Sequence, residues 1–326
     1  MDIDKTLTRV EELWFFDGGL VVQAEQSLYR ISGGVLAARS PVFKDMLSFT
    51  QPPDVETIEG CPVVRLPDRA ADVTCFFRAI FDSSFFESHP HKVAWADAIS
   101  ILHLSNKYSV EYLLRRALIH LSSWHVTTLS AYDAKTYGEA SASLFPQNYD
   151  NEASYVALIE VARQVNALWM LPTAFYHMAS SDEAYLDQIL RCVMYAGRPA
   201  KLSPEDRILL LKSSLHVSRQ GNIITSFLHS PGSIPGCEWG GKCTGKRLGT
   251  LGGVNSSLTE PDIADDPLNL LFPCDGLLSD CCPVCQDYSR KALREARQAV
   301  WDRLPGFCGL PSWGVLEKMK EKALED

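Results

Sequence analysis

Cys237 and Cys243 form a Cys-x5-Cys pair, Cys282 and Cys285 a Cys-x2-Cys pair, and residues 244–281 separate the two. A Cys-x2-Cys step can turn two thiolates toward one tetrahedral ion, and a second pair supplies the remaining ligands, so the arrangement fits a structural zinc. The interval is long for a compact finger, the first spacing is irregular, and Cys274 and Cys281 stand near enough in sequence to replace a ligand. A set of unmetallated thiols is the other reading, and the residues leave it open. A redox Cys-x-x-Cys motif is a third, but Cys282-Pro283-Val284-Cys285 lacks the βαβ context such chemistry uses. If zinc binds, it closes the large loop and fixes the helix that follows, with no open coordination position for catalysis.

Other chemistry is poorly supported. Gly240-Gly241-Lys242-Cys243-Thr244-Gly245-Lys246-Arg247 nearly spells a phosphate-binding loop, yet Arg247 stands where a Ser or Thr must ligate magnesium, and no strand signal precedes the glycines. The stretch reads as a flexible loop. There is no Gly-x-Ser-x-Gly elbow, His-Glu-x-x-His motif or dinucleotide fingerprint. His89-Pro90-His91 reads as an exposed turn, and His103, His120 and His177 as hydrogen-bonded histidines on helices. The expectation is a protein that is not an enzyme.

The composition is that of a folded globular protein. Of 326 residues, 46% are hydrophobic and 22% charged, the balance of a globular chain long enough for two domains. The formal charge is -9, and acidic residues outnumber basic ones on each side of cuts at 130 and 236. No segment carries the clustered Lys and Arg that phosphate neutralisation requires, so nucleic acid is not an expected partner. The first residues contain Asp2, Asp4, Glu11 and Glu12 without a signal-length apolar run, and no stretch is long enough to span a bilayer. Ten cysteines without a secretion signal point to a reducing, intracellular compartment, cytoplasm or nucleus.

The elements that must position these residues begin with a hairpin. Leu20–Ala24 and Ser27–Ile31 are short strand-like runs about Glu25-Gln26, and Val63–Leu66 is a third, entered through Gly60-Cys61-Pro62. Ser40-Pro41 marks a helix start, after which Phe43, Met46 and Leu47 recur at helical spacing. Asp72 is the expected cap of the next helix, whose Val73, Phe76, Phe77, Ile80 and Phe81 form one apolar face worth about 10 kcal/mol gross on burial. Trp95–Tyr108 and Val110–Trp124 complete a pair of helices, the latter with Val110, Leu113, Leu114, Ala117, Leu118 and Leu121 on one side. A hairpin, helices, one more strand and helical hairpins make an α+β domain over residues 1–130.

Trp14-Phe15-Phe16-Asp17-Gly18, the run from Leu28 through Ser40-Pro41-Val42-Phe43, and Gly60–Leu66 resemble the signature of BTB/POZ domains. The whole chain resembles the BTB-domain proteins abundant in mushroom-forming fungi, with further support from Leu168–Tyr176, Leu202–Asp206 and Leu304–Pro311. The resemblance also puts Cys282 and Cys285 in matching places. It implies a non-catalytic domain that self-associates, expected here as a homodimer, and recruits protein partners. Asp17 matches the buried aspartate that helps form a corepressor pocket in BTB transcription regulators. Ser32 and Gly33 replace the His and basic residue found beside it in many members, which leaves a turn or helix cap as the other reading of Asp17. Family members that recruit a cullin scaffold carry a hydrophobic-x-Glu element where Ser48–Pro53 has none, although helices after 150 could substitute. A cullin-ligase adaptor and a zinc-assisted transcription regulator are thus narrower alternatives to a general recruitment module.

Residues 131–236 read as an all-helical extension. It follows a connector over 126–150 and has helices on Leu158, Ile159, Ala162 and Val165, from Leu171-Pro172 onward, and from Ser203-Pro204 through Leu209, Leu210 and Leu215. Residues 237–326 form the cysteine-bearing segment, with a mobile loop over Ser230–Pro273 and a last helix over Tyr288–Leu304 that stops at Pro305.

Overall fold

A computed structural model describes residues 7–49, 56–137, 152–180, 183–229, 232–257, 267–270 and 279–325. Cys274 and residues 138–151 and 258–266 lie outside them. The chain is mixed α+β and divides into two compact units, one centred on Met1–Trp124 and one beginning at His125. Among the described residues no helix is long and apolar enough to cross a membrane.

The first unit runs β1 (Thr8–Trp14), β2 (Leu20–Ala24), β3 (Ser27–Ile31), α1 (Gly33–Arg39), α2 (Pro41–Ser48), β4 (Thr57–Ile58), β5 (Cys61–Leu66), α3 (Ala70–Phe81), α4 (Trp95–Lys107) and α5 (Glu111–Trp124). Its five-stranded sheet has the order β1-β3-β2-β5-β4. The β2–β3 hairpin has the boundaries its alternation predicts, and β5 pairs parallel to β2, with Val21 opposite Val63 and Ala24 opposite Leu66. Two edge strands were not expected. β1 runs parallel to β3, and β4 antiparallel to β5.

Helices bury the faces that their periodicity marks. Val73, Phe76 and Phe77 of α3 and Leu113, Ala117 and Leu121 of α5 are inaccessible to solvent. Phe43 stacks on Tyr108 at 4.6 Å, and Tyr29 meets Phe77 edge-on at 5.3 Å, so the sheet and helices share one aromatic interior. The buried Ser40 caps α2 through the Phe43 N–H at 3.0 Å while donating to the Tyr108 carbonyl. Asp72, in contrast, is not the cap of α3. The helix starts at Ala70, whose N–H is taken by Glu25 Oε2 at 2.9 Å, and Asp72 instead accepts from Ser100 Oγ at 2.6 Å. A carboxylate from the hairpin turn supplies what the local sequence was expected to supply.

The second unit contains α6 (Leu129–Tyr137), α7 (Glu152–Gln164), a 3-10 turn (Leu168–Met170), α8 (Leu171–Ala179), α9 (Glu183–Arg191), β6 (Val193–Tyr195), β7 (Arg198–Ala200), α10 (Pro204–Val217) and α11 (Gln220–Ile224). After a 3-10 turn at Ser226–His229 come α12 (Gly241–Ser257), a further turn at Pro267–Leu270, α13 (Pro283–Phe307) and α14 (Trp313–Leu324). Every residue of α8 except His177 is buried, because α7, α10 and α13 all pack on it. A short helix apolar on all sides belongs at such a centre.

Several expectations need correction. The extension is not all-helical, since β6 and β7 form a hairpin whose central residues, Ala196 at φ 47° and Gly197 at φ 71°, adopt the left-handed pair that a two-residue turn requires. The connector contains α6, held by Arg297 on Asp133. The expected mobile loop is helical over α12, where Arg247 is buried and donates to the Gly232 carbonyl at 2.7 Å. Leu215 lies on the solvent side of α10, which buries Leu210, Ser213 and Val217 instead. The last predicted helix starts earlier, at the Cys282–Pro283 cap, and carries Pro305 within its final turn. A further helix, α14, follows it, and Trp313 there stacks on the buried Trp301 at 5.2 Å.

Candidate metal centre

The two cysteine pairs are brought together by turn and helix-start geometry. Cys237 follows Gly236, whose φ of 79° suits glycine, and its N–H bonds the Ile234 carbonyl at 3.0 Å in a tight turn. Cys243 sits in the first turn of α12. Cys282 is the N-cap residue of α13 with φ -63° and ψ 156°, and Pro283 at the first helical position fixes the entry. One turn on, Cys285 points its sulfur to the same side as Cys282.

The four sulfurs lie within 4.8 Å of one another, with Cys243, Cys282 and Cys285 buried and Cys237 half-buried. Tetrahedral zinc–thiolate bonds of about 2.3 Å place sulfurs about 3.8 Å apart, so the cluster is close to a ligand shell. The residues therefore fit a metal ion bound by four cysteines. The Cys282 N–H donates to Cys243 Sγ at 3.3 Å, a bond that strengthens when the sulfur is a thiolate. As a thiol, Cys237 donates to the Gly240 carbonyl at 3.7 Å.

The electrostatics are uneven across the pair that opens α13. Burial raises the Cys282 thiol, but the backbone N–H groups of Glu238 and Cys285 and the thiols of Cys285 and Cys243 outweigh it and hold Cys282 down at about 6. Burial first, and then the thiols of Cys237, Cys282 and Cys243, push Cys285 up. Thiols that compete for one small space are in the condition a dication relieves, because it takes all of them as thiolates.

Among the described residues, the four cysteines named from spacing are thus the ones that meet. Cys281 is buried beside Cys243 but belongs outside the set of four, and burial raises its thiol. Of the other residues singled out, Asp17 is exposed in the turn between β1 and β2, with its neighbour Phe16 also in water. The phosphate-loop look-alike forms the start of α12. His91 lies 3.1 Å from Glu87 Oε2, a carboxylate neighbour that spacing had not suggested, and His120 Nε2 is 2.8 Å from the Glu87 carbonyl. His177 stacks on Tyr155 at 5.3 Å.

Sequence reasoning missed the environment of the cluster. Trp239 stands half in water with Lys242 over its ring at 5.1 Å, and Lys246 pairs with Asp280 at 2.7 Å. The signal was present in the Lys242 and Lys246 spacing on α12, but it appears only once that stretch is known to be helical.

Comparison with protein-family models, with curated proteins and with solved structures finds no match.

Proposed function

We propose that the chain is a non-enzymatic protein-interaction module whose first unit is a BTB/POZ-type domain that self-associates and recruits partners, and whose second unit is fastened by one structural zinc. Cys237, Cys243, Cys282 and Cys285 hold the ion. Its task is cohesive: four protein thiolates fill a tetrahedral shell, leave no position for water or substrate, and tie the starts of α12 and α13 to the turn at Cys237. The BTB reading rests on the signature residues 14–18, 28–43 and 60–66, and the hairpin, the strand β5 and the helical pairs that follow accord with it.

The observation that carries the recruitment reading is Phe16, which is 89% exposed at the β1–β2 turn beside Asp17. Burying a phenylalanine side chain is worth about 1.5–3 kcal/mol, so an aromatic residue standing in water at a turn is well suited to an interface. Light scattering combined with metal analysis of the full chain tests both halves of the proposal. The expected result is a dimer with one zinc per chain, converted to monomer by Phe16→Asp with zinc retained. A monomer at every concentration overturns the self-association, and a metal-free chain with unchanged melting on Cys282→Ser overturns the zinc.

A further inference from the structure

The second unit contains a cavity of about 680 Å³ lined by α7, the segment leading into α10, the first turns of α10, and the turn after α13. That size lies within the range of pockets that enclose small organic ligands. Ile159, Leu202, Pro204 and Leu209 give it apolar walls, and Ile159 and Leu202 are themselves core residues. Gly309 lines one side with a φ of 63°, a left-handed conformation that suits glycine.

Among the described residues, six acidic and basic side chains also line the cavity: Glu160, Arg163, Lys201, Glu205, Asp206 and Arg207. They do not cancel evenly in space. Arg163 is taken by Asp206 at 2.6 Å, and Glu160 by Arg198 at 3.4 Å. Among the described residues neither Lys201 nor Arg207 forms an ion pair, and only Glu205 opposes them. The uncommitted balance is therefore one positive charge. The start of α10 adds little to it, since Ser203 Oγ already accepts the Asp206 N–H at 3.0 Å and two carboxylates occupy the first turn.

We propose that this cavity binds a small amphiphilic monoanion, with the apolar body against Ile159, Leu202, Pro204 and Leu209 and a carboxylate head toward Lys201 and Arg207. It is a binding site and not a reactive one. Cys308, which lines the cavity, is buried, and burial pushes its thiol up to about 12, so it stays protonated and weakly nucleophilic near neutral pH.

Calorimetric titration of the full-length protein with octanoate, octanol and octylamine isolates the head group while keeping the apolar body constant. Octanoate is expected to bind saturably at one site per chain and about tenfold more tightly than octylamine. Lys201→Glu, at an exposed position that does not threaten folding, should erase that preference while leaving octanol unaffected. Leu209→Trp should exclude all three by filling the cavity, with an unchanged melting profile showing that the unit remains folded. No saturable binding of octanoate, equal affinity for octanoate and octylamine, or an octanoate affinity that Lys201→Glu leaves alone would each overturn the proposal.

Discussion

Arg297 and Asp133 are 164 residues apart in sequence and meet in a two-pronged ion pair, with Nη2 to Oδ1 at 2.6 Å and Nη1 to Oδ2 at 3.0 Å. Arg297 is 1% exposed and also donates from Nε to the Leu268 carbonyl at 2.9 Å, so one guanidinium joins α6, α13 and the turn at Pro267–Leu270. Removing the carboxylate strands a buried cation. Asp133→Ala is expected to lower stability by about 3–5 kcal/mol in urea unfolding, whereas Asp133→Leu combined with Arg297→Met should recover most of the loss. Additive losses in the double variant would show that the pair is not coupled.

The cysteine cluster makes a prediction about which thiols matter. Cys281 and Cys282 are adjacent and both buried, yet only Cys282 belongs to the four converging sulfurs. Cys282→Ser should therefore abolish stoichiometric zinc and lower the melting temperature by about 10 °C, since the ion's binding free energy is lost from the folded state. Cys281→Ser should keep the zinc and move melting little. Metal loss in Cys281→Ser, measured by elemental analysis, would reassign the ligand set.

Legibility in the sequence followed how local the causes are. The β2–β3 hairpin was readable because alternation and the Glu25-Gln26 turn are both written within a dozen residues. The four converging cysteines were readable because each pair's spacing is local as well. By contrast, β1 carries Arg9, Glu11 and Glu12 and is mostly exposed, so its alternation is faint, and its strand character comes from pairing with β3. Glycines at 241, 245 and 249 argue against a helix, but α12 forms because Cys243 and Arg247 are anchored by partners outside it. The start of α3 is hidden from a local reading for the same reason, as Glu25 reaches the Ala70 N–H from 45 residues away.

Ser40 joins a local signal to a distant one. Its hydroxyl oxygen accepts the Phe43 N–H and its proton goes to the Tyr108 carbonyl, inside the stack of Phe43 on Tyr108. Ser40→Ala should cost about 1–3 kcal/mol, a cap plus a buried carbonyl left without its donor. Ser40→Thr keeps both bonds and should cost less. The comparison is made by chemical unfolding, and equal losses for Ala and Thr would mean that steric fit, and not the hydroxyl, controls the site.

The pH dependence of stability should bear the mark of His125. The ring is buried, with Nδ1 2.8 Å from Thr173 Oγ1 and Tyr155 edge-on at 6.2 Å. Burial, and then the charges of His177 and Lys135, hold it well below the ordinary histidine value of 6.5. Above that value both folded and unfolded chains carry it neutral, and it adds no slope. As the pH falls below it, the unfolded chain takes up a proton that the folded chain refuses, so the folded state loses about 1.4 kcal/mol per pH unit until the depressed folded value is reached. His120, lowered by burial despite its bond to the Glu87 carbonyl, adds in the same direction. Unfolding free energies of metal-replete protein measured between about pH 7 and pH 5 should thus decline, and His125→Gln should flatten the decline by about one proton. A His125→Gln profile parallel to that of the parent would mean that the buried imidazole ionises as freely in the folded chain as in the unfolded one.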